Sequence, residues 1–179
     1  VMVIQDQTKN GRKTLTSFRT IIDWDDNTDL DVFEICIYER RATPGAWWSK
    51  RFSVDHEYIS IFIKGQRPQY FNKEHMRITP RNKGVQKGGG SRLTNGNVSK
   101  GFVSTGKLMC CGTVMKYNSS SREGNGLNSK ESHDLKLKHP ATFPDKFASD
   151  FIRCFTKEGM IVLDPFLGSG TTVVEAKKT

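Results

Sequence analysis

The feature that most constrains this chain is a short segment near its C-terminal end, where an apolar run leads into an acid, a glycine-rich turn and a helix-like stretch. The run Met160-Ile161-Val162-Leu163 is wholly apolar, as is typical of a strand buried in a parallel sheet. The turn extends from Asp164 to Gly170, and a helix is predicted from Thr171 onward. A helix is also predicted before the run, and this close succession indicates α/β architecture.

The helix before the apolar run is predicted to start after Phe143. Pro144 suits a first helical position, and an acidic residue follows it. Apolar side chains then recur every four residues and form one face of the helix, with Gly159 as the expected stop; they are Phe147, Phe151 and Phe155, with Ile152 beside them.

Strand patterns also occur in the first third of the chain. Residues 1–4, 32–38 and 58–63 are β-branched and aromatic runs, and residues 9–13 form a turn with basic flanks. We therefore expect one α/β core built from residues 1–65 and 138–179, in which Val1–Ile4 and Ile161–Leu163 share a sheet.

The intervening region, residues 66–137, has little periodic apolar pattern and many basic residues. One short apolar stretch within it, residues 107–115, is a candidate strand. The whole chain carries a net charge of +9 and has a pI near 9.5. Such a balance favours a polyanionic partner, with nucleic acid first and an anionic membrane surface second.

The remaining composition argues against secretion and membrane insertion. No apolar run approaches the roughly 18 residues that span a bilayer, and the first residues do not resemble a signal peptide. The cysteines fit no zinc spacing and form a poor disulfide framework; they are Cys36, Cys110, Cys111 and Cys154. We expect reduced thiols, a cytoplasmic protein and no metal site.

The glycine-rich turn is suited to a ligand. Gly168 and Gly170 remove side chains where a ligand lies against the backbone, and the next helix presents unpaired amides. No lysine precedes Thr171, so a Walker loop is excluded, and the three-glycine NAD pattern is incomplete. The turn taken alone is also compatible with a tight strand-to-helix connection.

A second segment, Lys138 to Pro144, contains His139 and Pro140 before the predicted helix. Taken alone, it is a proline-locked loop with a surface histidine. Together with Asp164-Pro165-Phe166-Leu167-Gly168-Ser169-Gly170-Thr171-Thr172, however, it closely resembles the DNA amino-methyltransferases that modify adenine N6 or cytosine N4. The match covers about a quarter of the chain and follows the family's order and spacing.

The resemblance implies a Rossmann-like methyltransferase sheet and an S-adenosylmethionine site. The implied cofactor-binding residues are His139, Pro140, Ala141, Phe143, Asp164, Pro165, Phe166, Gly168, Ser169, Gly170, Thr171 and Thr172. The target base is flipped out of the duplex, and its exocyclic amine attacks the methyl group without a metal.

The order of the motifs resembles the permuted class of this family. It implies that residues 1–65 are a later part of the catalytic half, that 66–137 are an inserted, irregular and basic target-recognition region, and that 138–179 are the cofactor-binding part. The expected DNA contacts are Arg67, Lys73, Arg77, Arg81, Lys83, Lys87 and Arg92. Double-stranded DNA is the expected partner, while a homodimer and a restriction endonuclease partner stay open.

The chain departs from the family in one respect. The catalytic tetrapeptide of the family contains Pro-Pro, and no Pro-Pro occurs in this sequence. The catalytic residues are expected upstream of Val1, and the chain is expected to be a truncated fragment that does not itself transfer methyl groups. The alternative function is a non-enzymatic nucleic-acid-binding module, with stacking groups at Trp47, Trp48, Tyr70 and Phe71. An RNA or protein methyltransferase is a further alternative that would share the cofactor pocket.

Overall fold

The computed structural model describes residues 1–40, 52–79, 86–104, 108–117 and 144–179, with only the backbone at 86, 87 and 102–104. These residues divide into two units. The first comprises Val1–Asn72 and Gly112–Thr179, and the second comprises Lys73–Cys111. None of the helices in the described ranges has the length and apolar character that crossing a membrane requires.

The first unit is built on a mixed four-stranded sheet of order β1-β5-β4-β8. Strands β1 (Met2–Ile4) and β4 (Asp31–Glu39) both pair antiparallel with the central β5 (His56–Ile63), and β8 (Val114–Lys116) pairs parallel with β4. The predicted strands at 1–4, 32–38 and 58–63 are confirmed, although β1 is half-buried rather than buried. Within the described part of the candidate strand 107–115, which begins at residue 108, only the end is in a strand, and that strand continues to Lys116.

The turn at residues 9–13 is also confirmed, as a small hairpin of β2 (Thr8–Lys9) and β3 (Arg12–Lys13). Asn10 and Gly11 both have positive φ, at 50° and 74°. Two consecutive left-handed residues are what a tight two-residue hairpin loop requires, and Asn-Gly is the pair that adopts it most readily.

Helix α1 (Thr16–Asn27) covers one face of the sheet. Phe18 packs against Tyr58 with ring centroids 4.9 Å apart, and Trp24 packs against Phe62 at 5.3 Å. The sequence analysis did not predict this helix. A residue outside the helix stabilises its first turn. The Ser17 amide donates to a carboxylate oxygen of the buried Asp6 at 2.9 Å.

Helix α2 (Asp145–Phe155) covers the opposite face, as its apolar periodicity predicted. Pro144 precedes its first turn, and the helix ends at Phe155, so Gly159 lies in the following turn with φ of 86° rather than acting as the helix stop. The core between α2 and the sheet consists of Cys36, Tyr38, Ile59, Ile61, Tyr117, Phe147 and Phe151.

A buried polar contact ties helix α2 to the end of β8. The Tyr117 hydroxyl donates to Asp150 at 3.1 Å, and the Lys146 ammonium donates to the same carboxylate at 2.8 Å. Asp150 is buried, so its charge needs these partners. The contact therefore fixes how α2 lies along the sheet.

The segment from Met160 to Leu163 is not a strand, contrary to the prediction from its composition. It pairs with no strand that the structure describes, so Ile161–Leu163 does not share a sheet with Met2–Ile4. Ile161 and Leu163 are 93% and 85% exposed, while Met160 and Val162 line the groove beside helix α3 (Thr171–Lys178). Strand formation needs a pairing partner as well as an apolar sequence, and none of the described strands pairs with this segment.

The second unit contains a short 3-10 helix (Glu74–Met76) and an antiparallel pair of strands, β6 (Gln86–Gly88) and β7 (Phe102–Ser104). A further bridge joins Ile78 to Met109. The predicted irregular region thus contains a regular hairpin.

All four cysteines of the chain lie in described residues, and none of them forms a disulfide.

Candidate cofactor-binding site

The predicted glycine-rich turn connects the exposed apolar segment to helix α3. Gly168 and Gly170 have φ of 54° and 87°, in the left-handed region that disfavours side chains. Gly170 immediately precedes the first residue of α3 and redirects the chain into the helix. The local conformation therefore depends on glycine at both positions.

Asp164 organises this turn through both of its carboxylate oxygens. One accepts the Phe166 amide at 2.9 Å, and the other accepts the Thr172 hydroxyl at 2.6 Å. The first contact closes a local Asx turn, and the second ties the turn to the first residues of α3. The sequence analysis predicted that Asp164 faces the cofactor but missed its part in shaping the turn.

Several backbone amides of the turn remain available. The amides of Gly168, Ser169 and Thr171 donate to no acceptor among the residues that the structure describes. Thr171 opens α3, where the helix dipole adds positive potential. The Gly170 amide, between Ser169 and Thr171, donates to the Leu167 carbonyl at 2.9 Å. Amides without an intramolecular acceptor at a helix N-terminus can bind an anion, which suits a carboxylate ligand.

The surface around the turn is open. Phe166 is 91% exposed, whereas Thr171 is buried. A separate groove of about 210 Å³ lies between the extended segment and α3, and its lining includes Asp164 and Thr172 but neither glycine of the turn. Because this volume is below the roughly 300 Å³ at which small-molecule pockets begin, the groove alone is not a complete ligand pocket.

One of the two predicted cofactor segments lies within the described residues, and the other does not. Asp164, Pro165, Phe166, Gly168, Ser169, Gly170, Thr171 and Thr172 form one continuous turn and helix start. His139, Pro140, Ala141 and Phe143 lie outside the described residues, so their predicted place beside the turn stays a prediction.

The predicted DNA contacts fall in different settings. Arg67 and Arg92 are exposed, and Arg77 forms an ion pair with Glu74 at 2.7 Å. Lys73 lies at the boundary of the second unit. Of the remaining three, Lys87 is described only in its backbone, and Arg81 and Lys83 lie outside the described residues, as do Trp47 and Trp48.

Comparison with known proteins decides the family. The profile of the N6/N4 DNA methylase family matches residues 1–179, which is the whole chain. The chain belongs to this family. This membership confirms the family that the sequence resemblance indicated.

Two curated relatives of this chain illustrate the relationship. The orphan methyltransferase M.BamHII of Bacillus amyloliquefaciens is 28% identical over 183 residues, covering 96% of this chain and 63% of that protein. The type II methyltransferase M1.MboII of Moraxella bovis is 32% identical over 149 residues, covering 73% of this chain and 52% of that protein. The chain thus spans about half to two-thirds of the length of these relatives.

A solved structure shows that the DNA methylase fold is also shared. The PvuII DNA methyltransferase, described as cytosine-N4-specific, matches with a TM-score of 0.65 and 18% identity. The match covers 98% of this chain and 54% of that one. The fold is therefore α/β and Rossmann-like, as predicted.

Methyltransferases of this family use S-adenosylmethionine. The residues of the turn fit its methionine end. The free amides can receive the carboxylate, and each oxygen of Asp164 retains a second lone pair for an ammonium group. The chemistry of this donor set is therefore compatible with the cofactor.

Proposed function

We propose that this chain is the donor-binding and DNA-contacting part of an enzyme that methylates the exocyclic amine of adenine (N6) or cytosine (N4) in DNA, with S-adenosylmethionine as donor. The turn at Asp164 to Thr172 is the observation that carries the proposal. It combines two left-handed glycines, free amides at a helix start and a carboxylate already oriented by two hydrogen bonds.

In this proposal the residues of this chain bind the methyl donor and orient it. The Gly168, Ser169 and Thr171 amides hold the carboxylate of the donor, and Asp164 accepts from its ammonium group. When bound, S-adenosylmethionine supplies an electrophilic methyl group. Because the donor end is fixed by a turn rather than by mobile side chains, the geometry is set before the target base arrives.

The His139 to Phe143 segment belongs to the same proposal as the opposite wall of the pocket. Residues 66–137 are proposed as the target-recognition region, with duplex DNA as the partner. We propose that the catalytic tetrapeptide lies outside residues 1–179, because these residues contain no Pro-Pro pair. A homodimer and a restriction endonuclease partner remain expectations, which light scattering and a cleavage assay on unmethylated DNA would address.

The alternative of a nucleic-acid-binding module without catalysis is less well supported. Such a module has no use for a turn with free amides beside an oriented carboxylate. The same turn is compatible with an RNA or protein methyltransferase, but the family match over residues 1–179 favours DNA.

Donor binding by the intact enzyme tests the proposal. Replacing Gly168 by valine should abolish S-adenosylmethionine binding in isothermal titration calorimetry, because the side chain occupies ligand space and strains the turn. Gly159→Val is the matched control, because it places the same side chain at another left-handed glycine, outside the site. Equal donor affinity in both variants would contradict the assignment.

A further inference from the structure

The second unit contains a hairpin that is longer than its assigned strands. Strands β6 and β7 pair Gly88 with Phe102, and a bridge in the same register pairs Arg92 with Val98. The Leu93 amide donates to the Asn97 carbonyl at 2.7 Å, and Gly96, with φ of 82°, closes the turn at the tip. Residues 86–104 are therefore one continuous two-stranded ribbon, which we term the basic hairpin.

Two glycines let the strands of the basic hairpin approach closely. A Cβ atom on Gly90 would lie 1.8 Å from the Ser99 carbonyl oxygen, and one on Gly101 would lie 2.4 Å from the Gly88 carbonyl oxygen. Both distances are far below van der Waals contact, and both neighbours are backbone atoms. By contrast, a Cβ atom on Gly89 would meet nothing within 4 Å. The ribbon is therefore a specific structure that depends on Gly90 and Gly101.

The basic hairpin carries one sign of charge. Residues 86–104 include three basic residues, Lys87, Arg92 and Lys100, and no acidic residue. Arg92 and Lys100 are exposed and form no ion pair with any other described residue. Their charges are therefore free to meet an anionic partner.

A positive side chain shares a face of the hairpin with an apolar one. Residues paired across an antiparallel ladder point to the same side, so Arg92 and Val98 lie on one face. Val98 is 68% exposed near the tip, and Lys100 is exposed two positions farther along the same strand. The hairpin therefore presents positive charge beside an exposed valine, which is suited to a surface with both charge and methyl groups.

Duplex DNA has such a surface in its major groove. The groove is about 12 Å wide and admits a two-stranded ribbon, arginine pairs with the guanine edge, and apolar side chains contact the thymine methyl group. Residues 91–99 contain no aromatic side chain, so the tip is no stacking platform for single strands. The deep, narrow major groove of RNA helices would exclude a ribbon.

We propose that the basic hairpin enters the major groove of double-stranded DNA, with Arg92 and Val98 against the base edges and Lys100 on a phosphate. This proposal rests on the proposed function and deepens it, since it names the element and the groove through which the enzyme recognises its substrate. Lys100 and Val98 thereby join the DNA contacts expected from sequence, and Arg92 becomes a specificity-determining residue.

Five variants of the intact enzyme separate binding by a structured ribbon from binding by a diffuse positive surface. Arg92→Ala and Lys100→Ala each remove one free charge of the hairpin. Gly101→Ala keeps every charge but introduces the 2.4 Å clash, and Gly89→Ala adds the same methyl group to open space in the same hairpin. Lys64→Ala is the charge control, because Lys64 is already paired with Asp29 in the first unit.

Duplex binding is measured by fluorescence anisotropy over a range of salt concentrations. Arg92→Ala and Gly101→Ala should each weaken binding by roughly tenfold or more, the scale of a lost bidentate base contact. Lys100→Ala should make the slope of log affinity against log salt shallower by about 0.9, the value for one phosphate contact. Gly89→Ala and Lys64→Ala should bind like the unaltered enzyme.

The groove is tested by dimethyl sulfate footprinting, which reports guanine N7 in the major groove and adenine N3 in the minor groove. The unaltered enzyme should protect guanine N7, and Arg92→Ala should lose that protection. Protection confined to adenine N3, or tighter binding to single strands or RNA than to duplex, would overturn the proposal.

Failure of this proposal is distinguishable from failure of the proposed function. If Arg92→Ala, Lys100→Ala and Gly101→Ala bind DNA like the unaltered enzyme, the hairpin assignment is wrong and DNA binding itself stands. If neither the variants nor the unaltered enzyme bind duplex DNA while donor binding is intact, the hairpin assignment is also wrong. Hairpin-dependent DNA binding without donor binding would retain the hairpin and refute the methyltransferase.

Discussion

At the scale of single residues, Asp164 shapes the turn that we assign to the methyl donor. Its two carboxylate oxygens accept the Phe166 amide and the Thr172 hydroxyl, so they link the turn to the first residues of α3. In the proposed complex, the ammonium group of the donor uses the second lone pair of these oxygens. The two hydrogen bonds therefore orient the carboxylate before the donor binds.

The buried phenol of Tyr38 makes the stability of the fold depend on pH in the alkaline range. Burial raises the pKa of its phenol, and the Glu57 carboxylate raises this pKa further, against a smaller opposing effect of Arg40. The unfolded chain has the ordinary tyrosine pKa of about 10, so it ionises first as pH rises. The stability that neutral Tyr38 contributes is therefore fully present below about pH 10 and is lost as pH rises toward the folded pKa.

We expect Tyr38→Phe to reduce this alkaline loss of stability, because phenylalanine cannot ionise. The measurement is the urea-unfolding free energy of both proteins at neutral pH and at several values above pH 9. Near neutral pH the two should differ by about 1 kcal/mol or less. If both proteins lose stability equally between the two ranges, the phenol is not buried as described.

At the scale of elements, the sequence was informative where periodicity was strong. The apolar repeat of α2 and the β-branched and aromatic runs of β4 and β5 predicted those elements correctly, because burial favours such residues at these positions. Helix α1 was missed because Leu15, which precedes it, offers no side-chain cap, and because Asp25 and Asp26 lie near its C-terminal end against the helix dipole. Its stabilising contact, from Asp6, is eleven positions away from Ser17.

The segment from Met160 to Leu163 shows the opposite error. Its composition is that of a buried strand, but pairing is a property of two segments and a single sequence window contains only one of them. Similarly, the hairpin at 86–104 escaped sequence analysis because its strands are rich in glycine and contain few β-branched residues. Gly90 and Gly101 are explained by the close approach of the opposite strand, which no sequence window contains.

The packing of α2 on the sheet yields a prediction at this scale. Phe147 is buried, with its ring 5.4 Å from Tyr38 and 5.3 Å from Tyr117. Truncation to alanine should lower the free energy of unfolding by about 3–5 kcal/mol, through lost burial and the cavity left behind. Urea denaturation measures this change.

Phe52→Ala is the matched control for that experiment, since Phe52 is 99% exposed. Its free energy of unfolding should stay within about 0.5 kcal/mol of the unaltered protein. A small effect of Phe147→Ala, equal to that of Phe52→Ala, would mean that α2 does not pack on the sheet in solution.

At the scale of the whole molecule, two structural units correspond to two tasks. The first unit contains the α/β core and the turn that we assign to the methyl donor, and the second contains the basic hairpin that we assign to DNA. Family membership and fold follow from the match over residues 1–179 and from the likeness to a solved DNA methyltransferase.

Mass spectrometry of nucleosides from DNA incubated with the intact enzyme and isotope-labelled S-adenosylmethionine tests the proposed activity. The label should appear in N6-methyladenine or in N4-methylcytosine, because the proposed reaction transfers methyl groups to an exocyclic amine. Label in 5-methylcytosine, or label found only in RNA or protein offered as competing substrates, would contradict it.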